Sequence, residues 1–554
     1  MFTNNYKFFL LLIASWMIVR QGISQDQGVF SGGLESNANF FMRDSLIGAS
    51  GIPQYDNLLF GGEAWVKMGY QIGTWTLGLR FDAFHNSNLR EPNSAYSDQG
   101  IRHWFIRKQI KDLEIQAGHI YDQIGSGIIY RAYEERPLFI DNALYGVSLK
   151  YSFNDQWSVK GFSGRQKYLF SSYPSIIKGA SLDGFYSFGD EKPFTIAPGF
   201  GIVNRTYSEE TMQNMVNTLR AYIGNDRIET LKYNTYAGSA YATLSYGSWG
   251  MYLEGAYKTP EVFFDPNALK TSISGTQTPG KYVQEPGSVL YASLSYGNKG
   301  LGVIAEVKRT ENFDFRTSPE LSLTQGLMNF IPPMSRVNAY RLTARYAPAT
   351  QLLSEIAYQL DGKYSFNKHA SLNINYSQIN RLDDLLLYRE LYTEFLYKQG
   401  RDWRLITGLQ WQQYNQEIYE VKPQVPLLNS ITPFFDFQYR INKQNSFRLE
   451  GQYMHTEQDF GSWIFGMAEY NVAPHWAFEL SGMYNIVPTD KAPADENGNA
   501  IKLLYPTVGL TYVSGSNRYS LRYVKQVEGI VCAGGVCRLE PAFSGIKLAV
   551  SSSF

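Results

Sequence analysis

Ser126 stands between Gly125 and Gly127, seven residues after His119. A serine and a histidine are the parts of a nucleophilic hydrolase, in which the imidazole takes the hydroxyl proton as the serine attacks. The spacing does not suit that chemistry. A nucleophile elbow reads Gly-x-Ser-x-Gly on a strand-to-helix turn, whereas Gly125-Ser126-Gly127 follows a strand-like stretch. His119 and Ser126 can cooperate only if folding brings them together. The remaining histidines, His85, His103, His369, His455 and His475, are scattered without metal-site spacing. No phosphate-cradling glycine loop is present. The expectation is a protein that is not an enzyme and holds neither metal nor cofactor.

A second group is denser. Tyr121, Arg131, Glu134, Glu135, Arg136 and Asp141 fall within one segment that also carries Gly125 and Gly127. Alternating cations and carboxylates at this density can form a salt-bridged network. The glycines suggest a bulge or a close backbone approach. The alternatives are a loop folded inward as a constriction and an ordinary structured outer loop. A third group is the pair Cys532 and Cys537, the only cysteines in the chain, with Gly534-Gly535 between them. In an oxidising compartment this spacing predicts a disulfide that clips the loop. A metal or redox pair is less well supported, because no histidine lies nearby.

The elements that must position these residues read as strands. In Ala477–Ile486, Phe478, Leu480, Gly482, Tyr484 and Ile486 alternate with Ala477, Glu479, Ser481, Met483 and Asn485. The same period of two recurs at Ser446–Tyr453 and Phe434–Ile441, which argues for strands with one apolar and one polar face. The connections are of two kinds. Tight turns such as Gly73-Thr74, Lys111-Asp112, Gly247-Ser248 and Gly515-Ser516-Asn517 carry the residues that hairpins need. Longer polar loops run at about 86–100, 205–235, 259–286 and 488–502. Short turns at one end and long loops at the other predict an all-β, antiparallel, up-and-down transmembrane barrel of about 24 strands, an even number between roughly 18 and 26. Residues 311–351 are the weakest part of the count, with Val337–Tyr346 either a strand or part of a folded outer loop. Ser208, Glu209, Glu210 and the spacing of Met212, Met215, Val216, Leu219 and Tyr222 predict one short helix packed on the barrel mouth.

The 554 residues carry 50 basic and 50 acidic side chains, a balance that argues against a nucleic-acid partner. Aromatics reach 15%, with 41 Tyr, as expected if rings form girdles at two membrane interfaces. Trp75, Trp157, Trp249, Trp403 and Trp476 each follow a short turn. Lys7 and the apolar run from Phe8 to Val19 precede Gly22-Ile23-Ser24, the pattern of an export signal over residues 1–24. That leaves 25–554 as one barrel. The chain closes with an alternating strand ending in Phe554, which resembles the assembly signal of bacterial outer-membrane proteins. Lipid and the barrel-assembly machinery are the implied partners. The polar face collects Glu306, Lys308, Glu355, Asp361, Lys363, Arg404, Asp436, Arg440, Arg448, Glu450, Glu479 and Arg522. Mixed signs predict weak ion selectivity or a salt-bridged wall.

The segment Gly118-x-x-Tyr121-x-x-x-Gly125-Ser126-Gly127, followed by Arg131-x-Tyr133-Glu134-Glu135-Arg136 and Asp141-Asn142, resembles an uncharacterised family of Bacteroidetes-type outer-membrane barrels. The resemblance covers about 25 residues closely and implies fold and location without an activity. The expected function is a porin-like channel for small solutes. The alternative is an accessory barrel with an occluded lumen, serving an envelope assembly or secretion complex.

Overall fold

The computed structural model describes residues 28–190, 193–222, 231–322, 324–349, 353–533 and 536–554. The leader expected over residues 1–24 lies outside them. Among the described residues, 24 antiparallel strands form one closed wall. It begins with Val29–Phe41 and ends with Phe543–Ser553. Every consecutive pair of wall strands is hydrogen-bonded, and the first and last meet along a seam from Gly33↔Ser553 to Phe41↔Gly545. Closure satisfies each strand's backbone groups without an exposed edge, the condition for crossing lipid with strands. No helix of the described residues is long and apolar enough to cross a membrane. The chain is a closed antiparallel β-barrel.

The alternation decides which face is which. Phe478, Leu480, Val508, Leu521 and Leu548 point outward and are exposed, whereas their neighbours Glu479, Arg522 and Lys547 point inward. Trp75, Trp249 and Trp476 are exposed at the short-turn end, each opening a strand. An indole there has an apolar body and a polar edge, which suits a membrane boundary.

Two expectations are corrected. Residues 259–286 are not a loop. They continue the hairpin of Trp249–Thr271 with Gln277–Asn298, paired out to Thr271↔Gln277. Val262, Phe263, Phe264, Tyr282 and Val283 supply strand-favouring side chains. Pro260 and Pro266 fall in the two register shifts, between Lys258 and Glu261 and between Asp265 and Leu269, where a missing N–H breaks no ladder bond. Val337–Tyr346 forms no strand. It belongs to a segment between Leu301–Glu311 and Glu355–Ser365 that turns into the barrel. The expected helix is present as Glu209–Leu219, with the Ser208 hydroxyl accepting from the Thr211 N–H at 3.2 Å. Its Met212 and Met215 pack on Tyr207 and Val262, so it braces the base of the long hairpin.

Candidate functional site

The segment joining Leu113–Ile120 to Leu144–Ser152 makes two miniature ladders, Asp122–Ile124 with Tyr130–Ala132 and Glu134–Glu135 with Ile140–Asp141. Ile124, Ile128 and Ile129 are at most 1% exposed. They share an apolar cluster with the inward residues Phe162, Ile177, Val203, Ala237 and Val289 of five wall strands. The outward neighbours Phe200, Ile202, Tyr236 and Leu290 are exposed. The segment is therefore inside the barrel. Burying each isoleucine is worth about 2 kcal/mol. Two glycines permit the fit. A Cβ at Gly201 would lie 2.2 Å from Cγ2 of Ile124, and Gly125, at φ +56°, faces Glu254 where a Cβ would meet Oε1 at 2.7 Å. The Ser126 N–H and hydroxyl both donate to Glu254, at 2.9 and 2.6 Å, and Tyr252 donates to the same oxygen at 2.6 Å.

A network of charges holds the return limb. Arg80 reaches Asp82 at 2.7 Å, Glu134 at 2.5 Å and Asp141 at 2.6 Å. Arg102 reaches Asp82 at 3.1 Å, and Lys167 bonds Asp141. Tyr121 donates to Asp141 at 2.8 Å. Arg136 bridges Glu134, at 3.1 Å, to Glu35 on the first wall strand. Burial alone would raise the Asp141 carboxyl, but Lys167, Arg102 and Arg80 hold it well below the usual range. Glu134 is pushed up to about 7 by burial, with Arg80 pulling the other way and Asp141 and Asp82 adding to the rise.

Of the residues singled out by sequence, Tyr121, Glu134, Arg136 and Asp141 meet in this network. Arg131 does not join it. Its guanidinium lies 4.1 Å from the ring centre of Phe330 and 4.6 Å from that of Tyr133. Glu135 is half-buried and pairs its backbone with Ile140. The wall partners Arg80, Asp82, Arg102 and Lys167 were missed, and spacing could not reveal them, because they lie on other strands. Ser126 and His119 have different partners. His119 stacks between His103 and Tyr145, with ring centres at 5.2 and 5.0 Å, and its Nδ1 meets the Trp104 backbone at 3.2–3.3 Å. Cys532 and Cys537 oppose each other directly in the hairpin register, and their side chains lie outside the described residues. Phe554 sits at the seam, its backbone exchanging two bonds with Gly32 at 2.8 and 3.0 Å.

A second inward segment, the described residues between 312 and 354, packs against another part of the wall. Its Met334, Leu342 and Tyr346 join a cluster with Tyr388, Tyr414, Met454 and Trp463 from the wall. The Leu342 N–H donates to Gln452 at 2.7 Å, Gln410 donates to the Thr343 carbonyl at 3.0 Å, and Asn338 donates to Glu390 at 2.8 Å. The two segments also bond each other: the Arg131 N–H to the Met328 carbonyl at 2.8 Å, and the Phe330 N–H to the Gly127 carbonyl at 2.9 Å. The mixed-sign lumen wall pairs much of its own charge, with Lys308–Glu355 at 2.8 Å, Arg448–Asp436 at 3.0 Å and Arg522–Glu479 at 3.0 Å.

Two of the spaces left among the described residues adjoin these segments and the seam. A groove of about 540 Å³ follows the seam, lined by Glu35, Asn37, Arg518, Arg522, Lys547 and Ser551 among others. It extends along the last strand from Phe543 at the long-loop end to Ser551 near the short turns. A cavity of about 680 Å³ occupies the long-loop mouth, between residues 333–348 and the loops carrying Glu420, Asp459 and Gln526.

A family model described as a family of unknown function, DUF6029, matches residues 5–554. No curated protein matches the chain. Solved structures similar to it include the translocation pore of the P pilus usher PapC, at 10% identity and a TM-score of 0.42, covering 95% of this chain and 99% of that one. The ferric enterobactin receptor PfeA of Pseudomonas aeruginosa matches at 8% identity and 0.39, over 95% and 80%. OpdK of Pseudomonas aeruginosa, solved with vanillate, matches at 12% and 0.34, over 72% and 98%.

Proposed function

The chain belongs to the DUF6029 family, and from that premise we propose that it is an integral barrel of the bacterial outer membrane that lets small polar solutes pass through a lumen narrowed by its own two inward segments. The observation that carries this reading is the seam groove, whose polar lining follows the wall from Phe543 to Ser551. The short turns face the periplasm, the long loops face outward, lipid meets the apolar face, and Phe554 serves the barrel-assembly machinery. Residues 1–24 direct export, and Cys532 and Cys537 are bridged in the oxidising exterior, which intact-mass analysis after alkylation without reductant tests directly.

Planar-bilayer recording on the folded full-length protein tests the passage. Small, weakly selective conductance steps are expected, well below those of an unobstructed barrel of this strand number. Background current alone from verified folded protein overturns it. A second reading, an accessory barrel of an envelope complex, draws on the two apolar clusters that fill the lumen. Stoichiometric partners in a mild-detergent purification, together with absent conductance, would favour that reading.

A further inference from the structure

The charges around the mouth cavity nearly all have partners. Arg345 reaches Asp459 at 3.4 Å, and its guanidinium also lies 4.9 Å from the ring centre of Trp463. Lys422 reaches Glu420 at 2.6 Å and Asp459 at 3.4 Å. Arg336 sits 4.0 Å over Tyr392 and 3.5 Å from Glu394. Arg341 differs. It lines the cavity and is exposed to it, and among the described residues no hydrogen bond or ion pair engages its guanidinium. Its guanidinium is nonetheless crowded by protein on the sides away from the cavity. That crowding, with the like charge of Arg345 close by and Glu540 and Tyr505 opposing, disfavours its charged form. An anion in the cavity would supply the missing counter-charge in a place where water screens it less than at an open surface. The rest of the lining is largely apolar where it faces the void, with Val337 74% and Leu539 44% exposed beside Ala339 and Phe460. A group that satisfied Arg341 alone would leave that surface wet.

We propose that the mouth cavity is a binding site for a small amphipathic organic anion, whose carboxylate or phosphate group pairs with Arg341 and whose apolar body lies against Val337, Ala339 and Leu539. A volume of about 680 Å³ lies within the range of small-molecule pockets. The site opens at the long-loop end, and Glu540 belongs to the seam groove while its neighbour Leu539 lines the cavity. A solute held at Arg341 is thus placed at the entrance of the proposed passage. The inference rests on the passage reading for its sense, but binding tests it without reference to transport.

The experiment is calorimetric titration of the folded full-length protein in detergent with benzoate and phenyl phosphate, with benzyl alcohol as the uncharged control. Saturable binding of at least one anion is expected, with none of the alcohol. R341Q should weaken it by about tenfold or more, and R341K should restore part of the loss, because a point charge replaces the planar fork. Heat-modifiable gel mobility confirms that both variants fold. Absence of saturable binding to the folded wild type, equal binding of benzyl alcohol, or unchanged affinity in R341Q overturns the proposal. Conductance without anion binding removes this site and leaves the passage standing. Binding without conductance removes the passage and leaves the site.

Discussion

The ring of Phe554 occupies the space that a side chain on Gly32 would need: a Cβ there would lie 2.3 and 2.4 Å from two of its atoms. Their backbones exchange two hydrogen bonds, and the ring stacks near Phe30 with centres 6.2 Å apart. The last residue is thus seated on the first strand where the wall closes. G32V should drive the ring off Phe30 and cost about 1 kcal/mol or slightly more, the usual scale for overpacking. Thermal melting of G32V, F554A and the double variant checks this. Strictly additive losses would show that the two positions are not coupled.

Asp141 collects Arg80, Arg102 and Lys167 with Tyr121. D141N leaves buried cations without their main counter-charge, at about 3–5 kcal/mol. The cost falls on the seating of the inward segment rather than on the wall. Trypsin should then cut after Arg131 in the folded variant while sparing the wild type. Equal resistance would show that other contacts hold the segment.

Glu134 gives the seating a pH dependence of known sign. Its folded value is raised to about 7 by burial, against Arg80 beside it, with Asp141, Asp82 and Lys167 within reach and Arg136 bonded to it. A raised carboxyl binds more protons folded than unfolded, so stability falls as pH climbs from the ordinary carboxylate range toward 7 and levels off above it. The segment should be more protected from trypsin at pH 5.5 than at pH 8, after allowing for enzyme activity, and E134Q should flatten the difference. A wild type with no such trend, or the same trend in E134Q, would remove Glu134 as its source.

Asn37 points into the seam groove opposite Ala549 of the last strand. N37W should narrow the groove without touching either inward segment's anchors. Single-channel conductance should fall by about half or more if current follows the seam. Unchanged conductance in N37W would place the current elsewhere in the lumen.

Much of the wall was legible because period-two alternation records one local fact, which face points out of the barrel. Ala477–Ile486 read correctly for that reason, and Trp75, Trp249 and Trp476 are exposed where they open strands. The hairpin beyond Thr259 was read as a long polar loop, whereas its strands pair out to Thr271↔Gln277 with Pro260 and Pro266 in bulges that tolerate them. The inward course of residues 312–354 left no local trace. Its partners Glu390, Gln410 and Gln452 belong to strands far along the chain. Arg131 was grouped with the nearby carboxylates, yet Phe330, from the second segment, took it. Proximity in sequence favours short-range charge pairs, whereas a packed lumen is assembled from distant residues.

A ring of 24 strands is a wide hoop, and a wide hoop bends easily. The segment at 312–354 leaves the wall after Glu311, meets the other segment at Met328 and Phe330, and reaches Gln452 and Asp459 on distant hairpins. Mechanically it is a spoke. The cross-section cannot flatten or round without stretching those bonds, so the gap beside the seam keeps its width because of the strut across the hoop rather than the number of staves around it.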